Sequence, residues 1–458
     1  VLIKSAVAMS ASGELLQALP QGAVPITGRG TGFMSAIRAA YFERTRSSAD
    51  LYKKATNLMP GGTSRQASYW EPYPLTIKRG TGPRFWDLDG HEYLDLINNY
   101  TAMVHGHAYP PIVEATRRQI SDGTGWAAAN EPQNRLAELI IDRVPAIEQV
   151  RFTNSGSEAG VLAFTIARII TGRNKLLMAR WGYHGSALEF GIGFFGKEGP
   201  LTHLATYNDP ADFAAVLGEH GDDIAAVFLE PVLGASGVIR GEPDFLHEVR
   251  AAAHKVGALF VLDEVLTLRF AVGGCQGAIG IEPDLTMLGK IIGGGFPVGA
   301  VGGRAELLQI FNPSDMKVFH TGTFNGNPVT MAAGEVSLRE LTVKRIEQMD
   351  QLRGLLQAGL SRASNKHGLP LSVNHHGSCL NLYFSEAAPR SSNVREDGEL
   401  IEKFHIACMN HGLFIAPRGM IALSTVITEK DIAEAVERAD MAMRDVVVEM
   451  GNDNVRKG

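Results

Sequence analysis

Between residues 131 and 311 the chain repeats one pattern: a short apolar run, a turn, then a stretch long enough for a helix. The runs fall at 149–153, 175–179, 201–206, 224–229, 258–262 and 285–288, with helix-like stretches such as 158–171, 210–220 and 243–256 between them. Strands separated by helices of that length cannot meet as hairpins, so they pair through crossovers into a mostly parallel sheet. The runs are apolar throughout rather than alternating, as in IAAVFL at 224–229, which fits strands buried on both faces. The fold class is therefore α/β.

The flanks read differently. Residues 35–58 have a helical pattern stopped by Met59-Pro60-Gly61-Gly62. Strand-like runs follow at 75–78, 85–87 and 92–97, the last two joined across Asp89-Gly90 as a hairpin. After Asn327 a single long helix over 328–367 is expected, then strands at 371–374 and 380–384 and helices at 399–411 and 429–449. These segments form a smaller α+β domain completed by the N-terminal part. The expected division is a loosely ordered extension (1–34), the N-terminal part of the small domain (35–100), a large domain (101–327), and a long helix with the C-terminal small domain (328–458). Residues 1–9 are faintly like a signal peptide, but the apolar stretch is short.

Composition narrows the function classes. The net charge of −6 comes from 43 basic and 49 acidic residues mixed along the chain, without the basic stripe of a nucleic-acid binder. No apolar run approaches the roughly 18 residues of a membrane span. Cys275, Cys379 and Cys408 are odd in number and lack CxxC spacing, which supports neither a disulfide framework nor a zinc site and suits a reducing, cytoplasmic setting. Glycine is in excess, 51 of 458 residues or about 11% against roughly 7% in ordinary usage. A hydrophobic content of 45% excludes disorder as its reason. Seven glycines lie within 289–303, and Gly273, Gly274, Gly277 and Gly280 lie just before, which reads as positive-φ turns and close approach of backbone to a ligand.

Four features inside the α/β region carry chemistry. Ser155-Gly156-Ser157 lies where a strand runs into a helix, and offers free N–H groups, two hydroxyls and a positive dipole end to a phosphate. Read alone, it is first an ordinary N-cap, with Ser157 capping the helix before Glu158. Tyr183-His184-Gly185 places an aromatic in a glycine-flanked loop, able to stack on a planar ligand or simply to pack. The run 259–262 ends in Asp263-Glu264-Val265, and ligands of open α/β sheets bind outside such strand ends. Lys290 follows an apolar strand and precedes Gly293-Gly294-Gly295; a buried lysine loses its charge readily and forms Schiff bases as the neutral amine. Together the four match pyridoxal phosphate, with the aspartate keeping the pyridine nitrogen protonated.

In these motifs the chain, from about Ser35 to its C-terminal helix, resembles the class III aminotransferases of the fold-type I pyridoxal-phosphate enzymes. The resemblance implies a large domain built on a mostly parallel seven-stranded sheet. It implies phosphate contacts from Ser155, Gly156 and Ser157, ring stacking by Tyr183, Asp263 on the pyridine nitrogen, Val265 on the other ring face, and Lys290 as the internal aldimine. His184 and Glu230 join the implied cofactor contacts. Thr323, within His320-Thr321-Gly322-Thr323-Phe324, looks like the residue that reaches the phosphate of a partner subunit, which implies a homodimer with shared active sites.

Other motifs are set aside. Gly191-Ile192-Gly193-Phe194-Phe195-Gly196 spells GxGxxG without the strand–turn–helix context of a dinucleotide site, and Ile291 stands where a P-loop needs Ser or Thr. His105, His107, His375 and His376 lack partners at metal-ligand spacing.

The region around Asp263 and Lys290 is similar to glutamate-1-semialdehyde aminomutase, which returns the nitrogen to an adjacent carbon. The edges are instead similar to β-phenylalanine aminotransferases: Ser64-Arg65 after Pro60-Gly61-Gly62, Pro417-Arg418-Gly419 before the final helix, and Tyr73-Pro74-Leu75-Thr76-Ile77. Two arginines flanking a cofactor domain can each take a carboxylate as a bidentate partner. Without the resemblance, Arg65 and Arg418 serve equally as surface ion pairs. The resemblance thus implies transfer of an amino group from a β-amino acid, an aromatic one first, to 2-oxoglutarate or pyruvate by a ping-pong route. An aminomutase or racemase of the same fold is the runner-up. A catalytically silent cofactor-binding protein is a third reading, against which Lys290 and Asp263 speak.

Overall fold

The computed structural model describes residues 35–391 and 397–457; the extension expected over 1–34 lies outside them. The first strands, β1 (Ile77–Thr81), β2 (Arg84–Asp87) and β3 (Glu92–Asp95), form an antiparallel meander whose β2–β3 turn contains the Asp89-Gly90 pair.

The dominant sheet has seven strands: β4 (Gln149–Thr153), β5 (Lys175–Ala179), β6 (Thr202–Ala205), β7 (Ile224–Leu229), β10 (Leu259–Asp263), β11 (Leu285–Gly289) and β12 (Gly299–Gly303). A small hairpin of β8 (Val232–Leu233) and β9 (Ile239–Arg240) follows β7. The order across the sheet is β4-β12-β11-β10-β7-β5-β6. Only β12 runs against its neighbours, β4 and β11.

Side-chain alternation explains why the strands read as unbroken apolar runs. Leu176, Met178, Phe228 and Val261 pack toward the helix Gly156–Thr171, whereas Leu177, Ala179, Val227, Phe260 and Leu262 pack toward Pro210–His220 and Pro243–Lys255. Period-two alternation thus buries both faces, each under its own helices.

A second core draws on both flanks of the chain. Ile37, Tyr41, Phe85, Tyr93 and Leu94 pack with Leu356, Phe404, Leu413, Ile421 and Ala439. Here β13 (Ser372–His376), β14 (Cys379–Tyr383) and β16 (Met420–Ala422) form an antiparallel sheet, and β15 (Leu413–Phe414) adds to β3 in parallel.

The structure corrects four expectations. The helix expected over 35–58 is two, Ala36–Arg44 and Arg46–Ala55. Thr45 breaks it, its Oγ1 donating to the Tyr41 carbonyl at 2.6 Å and meeting the Tyr73 hydroxyl at 2.9 Å, so that a local side-chain bond competes with the helical ladder. The long helix over 328–367 is also two, Pro328–Glu340 and Val343–Lys366, the second capped by the Thr342 hydroxyl. The helix Pro110–Asp122 was not expected, and none of its residues is buried. Last, part of the glycine-rich stretch is a strand. Gly299, Gly302 and Gly303 belong to β12 and have ordinary φ; only Gly294 and Gly295 of that stretch hold positive φ. A Cβ on Gly299 would collide with the Ser155 carbonyl, so the missing side chain lets β12 lie flush against β4.

Candidate active site

Strands β4, β5, β7, β10 and β11 all point the same way, and the loops leaving their carboxyl ends carry Ser155–Ser157, Tyr183 and His184, Glu230, Asp263 and Val265, and Lys290. One edge of the sheet therefore gathers nine of the residues singled out in the sequence, where open α/β sheets bind ligands.

Asp263 forms the floor. It is 4% exposed, its Oδ2 lies 2.9 Å from His184 Nδ1, and its Oδ1 accepts the Val265 N–H at 2.9 Å. His184 is buried, and its Nε2 has no partner among the described residues. Glu230 stands behind this pair, accepting the amides of Tyr183 at 2.8 Å and Gly234 at 3.1 Å. Burial raises its carboxyl to about 7; the nearby imidazole of His184 opposes this, and Asp263 adds to it.

Lys290 follows β11 with φ of 49°, a conformation that a non-glycine residue holds only where its surroundings over-determine it. Its ammonium makes no hydrogen bond or ion pair with the described residues. Burial lowers its pKa, against the opposing pull of Asp263 and Glu230, while the buried Arg269 lowers it further. A larger share of neutral amine results. Val265 lies between the lysine strand and the serine turn: a Cβ on Gly289 would meet its methyls at 3.3 Å, and one on Gly156 at 3.4 Å.

At the serine turn the cap is Ser155, not Ser157. Ser155 Oγ accepts the Glu158 amide at 3.1 Å, and the helix begins at Gly156. Ser157 Oγ instead accepts the Ser186 amide at 3.2 Å and so ties the turn to the Tyr183–His184 loop. The amides of Gly156 and Ser157 have no acceptor among the described residues, as a helix N-terminus prepared for an anion requires.

The rim is built from other segments. Arg65 is exposed; its Nη1 donates to Asn99 Oδ1 at 2.7 Å and its guanidinium lies 5.9 Å from the Tyr100 ring centroid. Burial raises the Tyr100 phenol, and the charges of Arg65 and Arg418 both oppose that shift. Arg65 has the same effect on Tyr183, a residue 40% exposed whose ring meets Phe194 edge-on at 5.1 Å. Thr323 is not joined to the serine turn of its own chain. It lies in an exposed stretch with Met316, Phe319 and Phe324, anchored where Asn154 Nδ2 donates to Asn325 Oδ1 at 2.8 Å.

Sequence reasoning missed Asn99, Tyr100 and the fully buried Arg269. The signal for the first two was the pair Asn98-Asn99 directly after a strand, since asparagine tolerates left-handed backbone. Among the histidines set aside, His105 bonds Thr425 Oγ1 at 2.7 Å and the Ser337 carbonyl at 2.8 Å, and His107 bonds Asp95 at 2.8 Å. Among the described residues no cluster of three metal-ligating side chains occurs, and no helix is long and apolar enough to cross a membrane.

These residues fit pyridoxal phosphate: unpaired helix amides for a phosphate, a buried carboxylate braced by His184, and a partly accessible lysine without a partner. The comparisons agree. The family described as aminotransferase class-III matches residues 66–191 and 196–443. The chain is 41% identical to the β-phenylalanine transaminase of Variovorax paradoxus, over 83% of this chain and 89% of that protein. It is 37% identical to a glutamate-1-semialdehyde 2,1-aminomutase of Bacillus cereus, over 86% of this chain and 97% of that protein. Among solved structures, an omega-transaminase from Sphaerobacter thermophilus superposes with a TM-score of 0.84 at 36% identity, covering 87% of this chain and 98% of that one. The chain belongs to the class III aminotransferases. It is a pyridoxal-phosphate-dependent transaminase of fold type I.

Proposed function

We propose that the enzyme moves the amino group of a β-amino acid, aromatic ones first, to 2-oxoglutarate or pyruvate. The observation that carries this reading is the Arg65 guanidinium held against the Tyr100 ring by Asn99, where its charge also acts on Tyr183 and the charge of Arg418 acts on Tyr100. Two guanidinium groups at one rim suit an enzyme that must hold the carboxylates of two unlike substrates in turn. The likeness to a β-phenylalanine transaminase supports it.

Bound pyridoxal phosphate supplies an aldehyde for the substrate amine and a ring that withdraws electrons from the carbon losing its proton. The protein's residues do the rest. Ser155, Gly156 and Ser157 hold the phosphate, and Asp263, fixed by His184 and by the Val265 amide, holds the proton on the ring nitrogen. Tyr183 and Val265 cover the two ring faces. Lys290 Nζ would take the proton from the amine-bearing carbon and return it to the carbon on the far side of the nitrogen; its lowered pKa leaves more of the neutral amine available for this near neutral pH. Glu230 fixes the start of the Tyr183 loop through the Tyr183 amide.

The reading includes a homodimer in which Thr323 of a second copy completes the phosphate site. The exposed Met316, Phe319 and Phe324 around Thr323, and the apolar Ile112, Val113 and Ile120 on a helix without a buried residue, support a covered surface. Cys275, Cys379 and Cys408 are free and buried, which supports a reducing compartment such as the cytoplasm.

Incubation with 3-amino-3-phenylpropanoate and 2-oxoglutarate should yield glutamate. Isomerisation of glutamate-1-semialdehyde without any acceptor, and no glutamate from the first mixture, would favour the aminomutase reading.

A further inference from the structure

Four successive non-glycine residues, Asn98, Asn99, Tyr100 and Thr101, hold φ of 49°, 51°, 51° and 75°. Left-handed backbone is unfavourable for L-residues, least so for asparagine, so four such residues in a row need fixation from outside. Both ends have it. Asp95 Oδ1 accepts the amides of Ile97 at 2.8 Å and Asn98 at 3.0 Å, and Asn98 Nδ2 donates to the Ala422 carbonyl at 2.7 Å. At the other end the Thr101 carbonyl accepts from Arg269 Nη1 at 3.2 Å, and the Thr101 amide donates to the Ile97 carbonyl at 2.9 Å. Asn98, Thr101 and Arg269 are all fully buried. Arg269 has only neutral partners: it also donates to the Leu423 carbonyl and to Ser378 Oγ, so it clamps the turn to two further segments.

The clamped ends leave the middle of the turn facing the rim. Asn99 Oδ1 takes one N–H of Arg65, and the Tyr100 hydroxyl donates to the Ala67 carbonyl, two residues beyond that arginine. The Tyr100 ring underlies the same guanidinium. An amide oxygen holds the guanidinium in place without neutralising it, as a carboxylate would. The Nε and Nη2 donors of Arg65 have no partner among the described residues and remain for a ligand.

We propose that the left-handed turn at 98–101 is a positioning element that fixes Arg65 through Asn99 and Tyr100 and thereby sets selectivity for substrates that carry a carboxylate. This rests on the reading of Arg65 as a carboxylate site. It adds that the arginine works because a strained, externally clamped turn pre-orders it, which lowers the entropy lost on binding.

The test uses the pyridoxal-phosphate-loaded enzyme and two unreactive probes, 3-phenylpropanoate and the uncharged 3-phenylpropan-1-ol, titrated by calorimetry. Asn99→Gly keeps left-handed backbone available while removing the acceptor. It should weaken 3-phenylpropanoate about 10-fold and change the alcohol less than about twofold. Asn99→Asp should weaken the carboxylate more, about 30-fold, because it pairs Arg65 internally. Tyr100→Phe, a second variant in case the first is unstable, should cost about threefold. In turnover the same variants should raise KM for 3-amino-3-phenylpropanoate with kcat little changed, and leave KM for 1-phenylethylamine unmoved. Wild-type affinity for 3-phenylpropanoate in Asn99→Gly, or equal loss of both probes, overturns the positioning role while leaving the proposed function intact. A wild-type enzyme that binds the alcohol but not the carboxylate overturns both.

Discussion

The floor and the rim of this site are built by different means. The floor, Asp263, His184, Glu230 and Lys290, stands at the ends of buried strands, and its carboxylates accept backbone amides as well as the imidazole. The rim, Arg65, Asn99, Tyr100 and Arg418, comes from loops outside the seven-stranded sheet. Groups fixed by the sheet can be held to a fraction of an ångström for proton transfer, whereas groups on loops can be exchanged without disturbing the core. Under the proposed function, the difference gives rate to the floor and substrate choice to the rim.

The comparison breaks most easily at Lys290. Lys290→Ala should lower kcat by about 10⁴-fold or more for every amino donor alike, with loss of the visible band of the bound cofactor; retention of that band together with near-normal turnover would remove Lys290 from the floor. Asp263→Asn should cost about 10²–10³-fold in kcat, again regardless of donor, since an amide cannot hold the ring proton. If its effect were confined to KM of one substrate, rate and choice would not be separable. At the rim, Arg418→Ala should raise KM for the 2-oxo acid about 10- to 100-fold with cofactor affinity unchanged, the range for losing a charged bidentate partner. Equal loss of cofactor binding would make Arg418 structural.

The smallest effect is a pH dependence carried by the floor alone. Folded Glu230 holds its proton up to about pH 7, whereas an unfolded glutamic acid releases it near 4.5. Between those values the folded state binds more protons, so the stability contribution is full below the lower value and is lost as pH rises through the upper one. For the cofactor-free protein, Tm should fall by about 2 °C from this group between pH 5 and 7.5. Glu230→Gln should flatten that slope, and Arg65→Ala should leave it unchanged. An unaltered slope in Glu230→Gln would show that another group carries it.

The same division explains what could be read from the sequence. Asp263 and Lys290 were legible because two-faced burial turns β10 and β11 into unbroken apolar runs that end in a charge. Strand β12 was not, because three of its five residues are glycine and its reason for being a strand is the backbone it lies against. Thr45 ends a helix through its bond to the Tyr41 carbonyl, and the hydroxyl that also meets it belongs to a tyrosine 28 residues further on, which no local pattern shows. Ser155 and Ser157 were both legible as turn residues, but which one caps depends on the loop at Ser186. The turn at 98–101 rests on Asp95, Ala422 and Arg269, partners up to 324 residues away, so nothing nearby marks it except a pair of asparagines.

Strand β12 also bears on the order in which the chain can assemble. Its pairing with β11 is a local hairpin, but its pairing with β4 joins Gly299 to Thr153, across nearly 150 residues. Contacts of that separation close slowly, because the entropy of a long loop is lost before the pairing returns anything. The serine turn that follows Thr153 is pressed against Gly299, so it takes its final position only once that long closure is complete. With the serine turn as the proposed phosphate site, cofactor uptake during refolding should report completion of the sheet rather than its nucleation.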